Sequence, residues 1–240
     1  MNLIVTEDYA AMSRAAADWV CDRVVAKPDA VIVFPTGGTP VGLFQELIAR
    51  ARSGQFDPSR LRIFQMDDYY PVDPADRRSL YGWLKQEFLD PLGVPETQVV
   101  PLPGNSANPV AACRQYDEQL AALGGYDLAI LGLGPNGHIG FNDPPATASD
   151  VTRVLDLSES SIATAIKTWG SREATPKQAI SAGMAQLLGA KEILLIVSGA
   201  HKREILRQSL KEVPTPNVPA SYLQQIANVT VIADQAALPI

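Results

Sequence analysis

The 240-residue sequence has little of several things, and each shortage excludes something. It has two cysteines, Cys21 and Cys113, too few for a disulfide framework and without Cys-X-X-Cys or Cys/His metal spacing. Both lie in helix-like stretches and read as buried or half-buried thiols. Basic residues are outnumbered, 20 Lys plus Arg against 26 Asp plus Glu, for a net charge of −6. That balance argues against nucleic acid or a membrane surface as partner. It does not exclude a small anion, because a small site depends on local donors. No apolar run approaches the roughly 20 residues of a spanning helix. The opening MNLIVTEDYA lacks the basic and apolar regions of a signal peptide. A cytoplasmic protein is expected. Repeats, low-complexity stretches and linker-like runs are also missing, so one domain is expected over residues 1–240. A chain of this length needs no disulfide or metal to stay folded.

What is present is alternation. Leu3–Val5, Ala30–Phe34, Leu61–Met66, Asp127–Leu133, Lys191–Ser198 and Val229–Ala233 read as strands. Several are apolar without polar alternation, as in strands buried on both faces. Between them, helical spacing runs over Glu7–Val25, the stretch from Val41, Ser79–Leu89, Pro109–Leu123, Thr175–Leu188 and His201–Lys211. Pro176 suits the first turn of the helix expected at Thr175–Leu188. The proline-rich segment 213–221 reads as a loop. This order predicts an α/β fold with a doubly wound, mostly parallel sheet flanked by helices. In such Rossmann-like folds, ligands bind outside the carboxyl ends of the strands.

Four strand-end segments carry candidate chemistry. The first is Pro35-Thr36-Gly37-Gly38-Thr39-Pro40, between a strand and a helix. Its glycines, hydroxyls and helix N-terminus suit a phosphate, although it is neither a Walker A loop nor GxGxxG. A plain turn with Thr39 as N-cap fits the spacing equally well. The second is Asp67-Asp68-Tyr69-Tyr70. One carboxylate could act as a general base; no third metal ligand accompanies the pair, and a solvated turn is the plainer alternative. The third is Gly132–Pro144, containing Asn136, His138, Asn142 and Asp143. His138 is one of two histidines, and its polar neighbours could orient a proton shuttle. The fourth is Ser198-Gly199-Ala200-His201-Lys202, where a lysine in a first helical turn opposes the helix dipole unless an anion offsets it. Together the four suggest a sugar-phosphate enzyme working by acid–base catalysis, with neither metal nor cofactor expected.

These residues resemble the glucosamine-6-phosphate deaminase (isomerase) family, within the superfamily that includes 6-phosphogluconolactonase. The resemblance spans nearly the whole chain: PTGGTP, MDDYY with Ser79-Leu80-Tyr81, Cys113-Arg114-Gln115-Tyr116, LGLGPNGHIGFNDP and AISAGMAQLLGAKEILLIVSGAHK. Lactonase-like members typically carry a DER-type motif where this chain has Met66-Asp67-Asp68-Tyr69, and an Ala-Ser-Leu-Phe-type continuation where it has Gly140-Phe141-Asn142-Asp143-Pro144. Both features resemble the deaminase branch.

The resemblance implies roles. Asp67 matches the base that moves a proton between C2 and C1 of an open-chain amino sugar. His138 matches the residue that opens the ring, and Asn136 and Asp143 match its two polar partners. Gly38, Thr39 and Lys202 match phosphate-contacting positions, beside Thr36 and Gly37 of the same loop, and Lys167 aligns roughly with a phosphate-holding arginine. Two positions depart: Asn136 stands where many members have Asp, and Asp143 where they have Glu. Residues 144–175 diverge most and correspond to a lid. The expected reaction is conversion of glucosamine 6-phosphate to fructose 6-phosphate and ammonia. A lactonase, an enzyme for another amino-sugar phosphate and a non-catalytic sugar-phosphate binder remain as alternatives. The short tail after the last strand, unlike that of hexameric members, favours a monomer or small homo-oligomer.

Overall fold

Val31-Ile32-Val33-Phe34 has no polar residue because neither face of this strand meets water. Val31 and Val33 enter one core, and Ile32 and Phe34 enter another on the opposite side of the sheet. Leu128 to Leu131 and Ile193 to Val197 alternate between the same two cores. The computed structural model describes residues 1–238; Pro239 and Ile240, the end of the short tail, lie outside the described residues. In chain order the elements are β1 (Asn2–Thr6), α1 (Tyr9–Ala26), β2 (Val31–Phe34), α2 (Val41–Arg52), β3 (Arg62–Gln65), β4 (Asp67–Tyr70), α3 (Leu80–Leu84), α4 (Asp90–Leu92), β5 (Val99–Val100) and α5 (Pro109–Ala122). Then come β6 (Leu128–Gly132), β7 (Arg153–Asp156), α6 (Glu159–Trp169), β8 (Gln178–Ser181), α7 (Met184–Leu188), β9 (Glu192–Val197), α8 (Arg203–Lys211) and β10 (Val229–Asp234).

The main sheet has seven parallel strands in the order β1-β10-β9-β6-β2-β3-β5. Helices cover both faces, so the doubly wound α/β architecture is as expected. The chain leaves β2 toward β3 and β5 on one side, and leaves β6 toward β9 and β10 on the other. The crevice between the carboxyl ends of β2 and β6 is therefore the switch point where such sheets bind ligands.

A second sheet, antiparallel in the order β4-β8-β7, stands at this end of the first. It corrects the sequence reading. Gln178–Ser181 is a strand, and the helix that follows spans only Met184–Leu188. Pro176 precedes that strand instead of sitting in a helical first turn. The spacing of Ala179, Ile180, Met184, Leu187 and Leu188 imitates a helical face, but two partner strands claim Gln178–Ser181. Asp67–Tyr70 is likewise a strand, not a solvated turn, and both of its carboxylates are buried. A small core of Tyr69, Leu157, Ile162, Ala165 and Ala179 ties this sheet to α6, with Phe141 and Trp169 packed against it. Residues 144–175 thus contribute β7 and α6.

Cys21 and Cys113 are free and buried in helices, as expected. Among the described residues no helix is long and apolar enough to cross a membrane.

Candidate active site

A cavity of about 370 Å³ opens at the switch point. It is walled by the loops after β2 and β6, the start of β4, α6 and Lys202. Thr36, Gly37, Gly38 and Thr39 line it. Thr39 is not the cap of α2: Pro40 holds that position without a side-chain bond. Tyr9 on α1 pins the loop from behind. Its hydroxyl lies 3.2 Å from the carbonyl oxygens of Gly38 and Thr39, and accepts the Gly42 N–H at 2.7 Å. Among the described residues the backbone N–H groups of Gly37, Gly38 and Thr39 have no acceptor. The loop is thus a set of free donors at a helix N-terminus, suited to an anion. Lys202 approaches from beside β9. Its ammonium donates to the Leu133 carbonyl at 2.6 Å, at the end of β6, and lines the same cavity. Burial lowers its pKa, so an anion beside it would be welcome.

The two adjacent carboxylates divide their work. Asp68 is fully engaged, accepting from Gln65 Nε2 at 2.8 Å, Tyr69 N at 2.8 Å, Leu80 N at 2.8 Å and Tyr81 N at 3.0 Å. It anchors the first turn of α3, where a negative charge is favoured. Asp67 lines the cavity and has one long contact, 3.5 Å from the Thr36 hydroxyl. Burial, and then the charge of Asp68, push its pKa up to about 7, against a small opposing effect of Thr36. A carboxyl poised there can both take and return a proton near neutrality.

His138 reaches the cavity from the loop after β6. Its Nδ1 lies 2.7 Å from Asp143 Oδ1. Asp143 is buried, which alone would raise its pKa. Hydrogen bonds from His138, Asn136 and Ser158 outweigh this and hold it well below the usual carboxylate range. An ionised carboxylate only accepts, so Nδ1 carries the proton and Nε2 of the neutral ring is free to accept one. The imidazole packs flat on Gly134: a Cβ there would lie 2.1 Å from His138 Cδ2 and 2.2 Å from Nε2. Only glycine leaves the ring its place.

Asn136 acts one step back. Its Oδ1 accepts the backbone N–H of His138 at 3.2 Å, and its amide donates to Asp143 Oδ1 at 2.9 Å. It therefore orients the carboxylate and not the ring. An aspartate could not donate that second bond when ionised. The shorter Asp143 still closes its contact to His138, so the missing methylene opens no gap.

The structure therefore brings Thr36, Gly37, Gly38, Thr39, Asp67, His138 and Lys202 to one cavity, with Asn136 and Asp143 directly behind His138. Lys167 is not among them. It lies on the exposed face of α6, while Ser161, Thr164, Ala165 and Thr168 face the cavity. At 3.6 residues per turn, position 167 sits about a third of a turn away from that stripe. In its place the cavity wall holds two cations the sequence reading missed, Arg77 and Arg78. Arg78 stacks on the Trp169 ring, 4.3 Å from its centroid, and pairs with Asp76 at 2.7 Å. The signal available was the pair Arg77-Arg78 just ahead of Ser79, which caps α3. Among the described residues no cluster of three or more His, Cys, Asp or Glu is placed to hold a metal ion.

A parallel α/β sheet with a histidine, a buried carboxyl and an anion cradle at its switch point defines a class of ligand-binding α/β protein. The chain belongs to the glucosamine-6-phosphate isomerase/6-phosphogluconolactonase family, whose model matches residues 7–232. It is 36% identical over 237 residues to a glucosamine-6-phosphate deaminase of Halothermothrix orenii, covering 99% of this chain and 98% of that one. It is 33% identical to the Clostridium botulinum (strain Loch Maree) glucosamine-6-phosphate deaminase, covering 99% and 97%. The structure is similar to a monomeric glucosamine-6-phosphate deaminase, with TM-score 0.95, 31% identity and coverage of 99% and 98%. It shares its fold with 6-phosphogluconolactonase from Trypanosoma brucei, with TM-score 0.80, 20% identity and coverage of 98% and 97%.

Proposed function

We propose that the protein converts glucosamine 6-phosphate and water to fructose 6-phosphate and ammonia. The observation that carries this is a cavity in which a carboxyl with a pKa of about 7, Asp67, and a histidine oriented by an ionised carboxylate face one anion cradle. The phosphate is held by the N–H groups of Gly37, Gly38 and Thr39, the hydroxyls of Thr36 and Thr39, and Lys202. His138 Nε2 exchanges a proton with the ring oxygen and opens the pyranose. Asp67 takes the C2 proton while the aldehyde oxygen gains one, giving an enolamine. Asp67 returns its proton to C1, the nitrogen loses one, and an imine remains at C2. Water adds to that imine carbon and ammonia leaves, which is the hydrolytic step. Asn136 and Asp143 keep His138 in its working tautomer. Residues 144–175 form the lid, with α6 laid over the sugar, and the protein works as a monomer.

The assay that tests this offers glucosamine 6-phosphate, its galactosamine epimer and 6-phosphogluconolactone in turn. Ammonia and fructose 6-phosphate from the first are expected. Hydrolysis of the lactone alone would make it a lactonase. Thermal stabilisation by every ligand without product would make it a binder. Replacing Lys202 by Met removes a charged hydrogen bond worth roughly 1.5–3 kcal/mol, so KM should rise about 10- to 150-fold. The effect on kcat should be smaller, because the phosphate is bound alike before and during reaction. Steady-state kinetics check it.

A further inference from the structure

We propose that Ser181 is a positioning residue that sets the His138 turn against the strand carrying Asp67. This rests on the reading that His138 and Asp67 act on one sugar. Ser181 ends β8 and is fully buried. In the ladder it stands opposite Asp67 of β4 on one side and Arg153 of β7 on the other. Neither Ser181 nor the fully buried Asn142 lines the cavity, so neither can touch the substrate.

Their hydrogen bonds face the other way, toward the turn that follows His138. Ser181 Oγ accepts the Phe141 N–H at 3.2 Å and the Asn142 amide at 3.3 Å, and donates to the Ala182 carbonyl at 3.0 Å. The Asn142 amide also donates to the carbonyls of Ile139 at 2.9 Å and Ala182 at 2.8 Å. Its oxygen accepts from Arg153 Nη1 at 2.9 Å, and Asp150 holds that arginine at 2.9 Å. The next residue, Ala182, donates its N–H to the Met66 carbonyl at 2.8 Å, beside Asp67. One end of β8 therefore carries both halves of the site: the base by its ladder, the histidine turn by its side chains.

The fit is close. Gly140 lies in this turn with φ +59°, and a Cβ there would lie 2.9 Å from Ser181 Oγ and 3.6 Å from Asp67 Oδ2. The ladder does not require the serine hydroxyl, since alanine would keep every backbone bond. What alanine removes is the acceptor for Phe141. A shift of about 1 Å between reacting groups costs on the order of 100-fold in rate.

The test is Ser181→Ala beside Ser181→Thr, with kinetics on glucosamine 6-phosphate and amide exchange at Phe141 followed by NMR. For Ser181→Ala, kcat should fall about 10- to 100-fold with KM changed less than about threefold. The Phe141 amide should exchange at least about tenfold faster, having lost its acceptor. Ser181→Thr, which keeps the hydroxyl, should restore both. Should the alanine variant not fold, Ser181→Cys, a weak acceptor of similar size, reads the same contact. An unchanged kcat or an unchanged Phe141 exchange rate would overturn the proposal. If the parent protein releases no ammonia, the functional reading fails by itself. The exchange rate of Phe141 then still decides whether Ser181 holds the turn.

Discussion

Asp67→Asn is expected to bind sugar phosphate normally, to turn over about 10²- to 10⁴-fold more slowly, and to be more stable than the parent above pH 7. The three effects share one cause. The Asp67 carboxyl is buried beside Asp68 and its pKa is raised from 3.8 to about 7. The folded state therefore binds this proton more tightly than the unfolded chain. The stability it contributes is fully present below the unfolded pKa and is lost as pH rises through about 7. The loss is ~4 kcal/mol when complete. Asparagine never ionises, so its advantage should appear as a Tm several degrees higher at about pH 8, shrink to less than half by about pH 5 and fade only below about pH 4, the unfolded pKa. Thermal melts at these values and steady-state kinetics check both halves. In the parent, activity should climb with pH through about 7 as the base ionises. An Asp67→Asn protein that kept full activity would remove Asp67 from the chemistry.

The second large effect is expected from Asp143→Asn. Asp143 accepts from His138 Nδ1 at 2.7 Å, Asn136 Nδ2 at 2.9 Å, Ser158 N at 3.0 Å and Ser161 Oγ at 2.8 Å. An amide offers one acceptor oxygen and two N–H groups to this ring of donors. If its nitrogen faces His138, Nδ1 must accept and the proton moves to Nε2, the atom that should be free. If its oxygen faces His138, the nitrogen points at Ser158 and Ser161. A histidine in the wrong tautomer elsewhere costs about 10⁴-fold in kcat, and a loss of about 10³- to 10⁴-fold is expected here. The unpaired donor should cost a further ~1–3 kcal/mol of stability. Imidazole nitrogen chemical shifts would report the tautomer directly. A kcat within a few-fold of the parent would show that Asp143 merely fills space.

The parts of the molecule that were legible share a physical feature. β2, β6 and, beyond its first residue Glu192, β9 are buried on both faces, so these stretches are apolar and stand out from any helix. The glycine and histidine loops were legible because they follow those strands. β4, β7 and β8 were not. Asp67-Asp68-Tyr69-Tyr70 is polar in sequence, and its burial depends on pairing with Gln178–Ser181, more than 100 residues away and itself paired on its other side with Arg153–Asp156; each of the three strands has only four residues. A four-residue strand has too few alternations to announce itself, and its register is set by tertiary pairing. The same gap hid Ser181, which matters only once β8 is known to be a strand. Lys167 was misplaced for a related reason: one step along a helix moves a side chain by about 100°, and alignment alone did not say which face of α6 meets the cavity.

The most direct test of the central claim follows the C2 proton. The substrate is glucosamine 6-phosphate carrying deuterium at C2, and proton NMR reads the products in ordinary water. If Asp67 moves that atom, every ammonia released accompanies a broken C2–D bond. The product should be fructose 6-phosphate, with the deuterium at C1 or in solvent, and the Asp67→Asn protein should leave the label in place. Release of ammonia with the deuterium still at C2, giving glucose 6-phosphate, would contradict an isomerase mechanism.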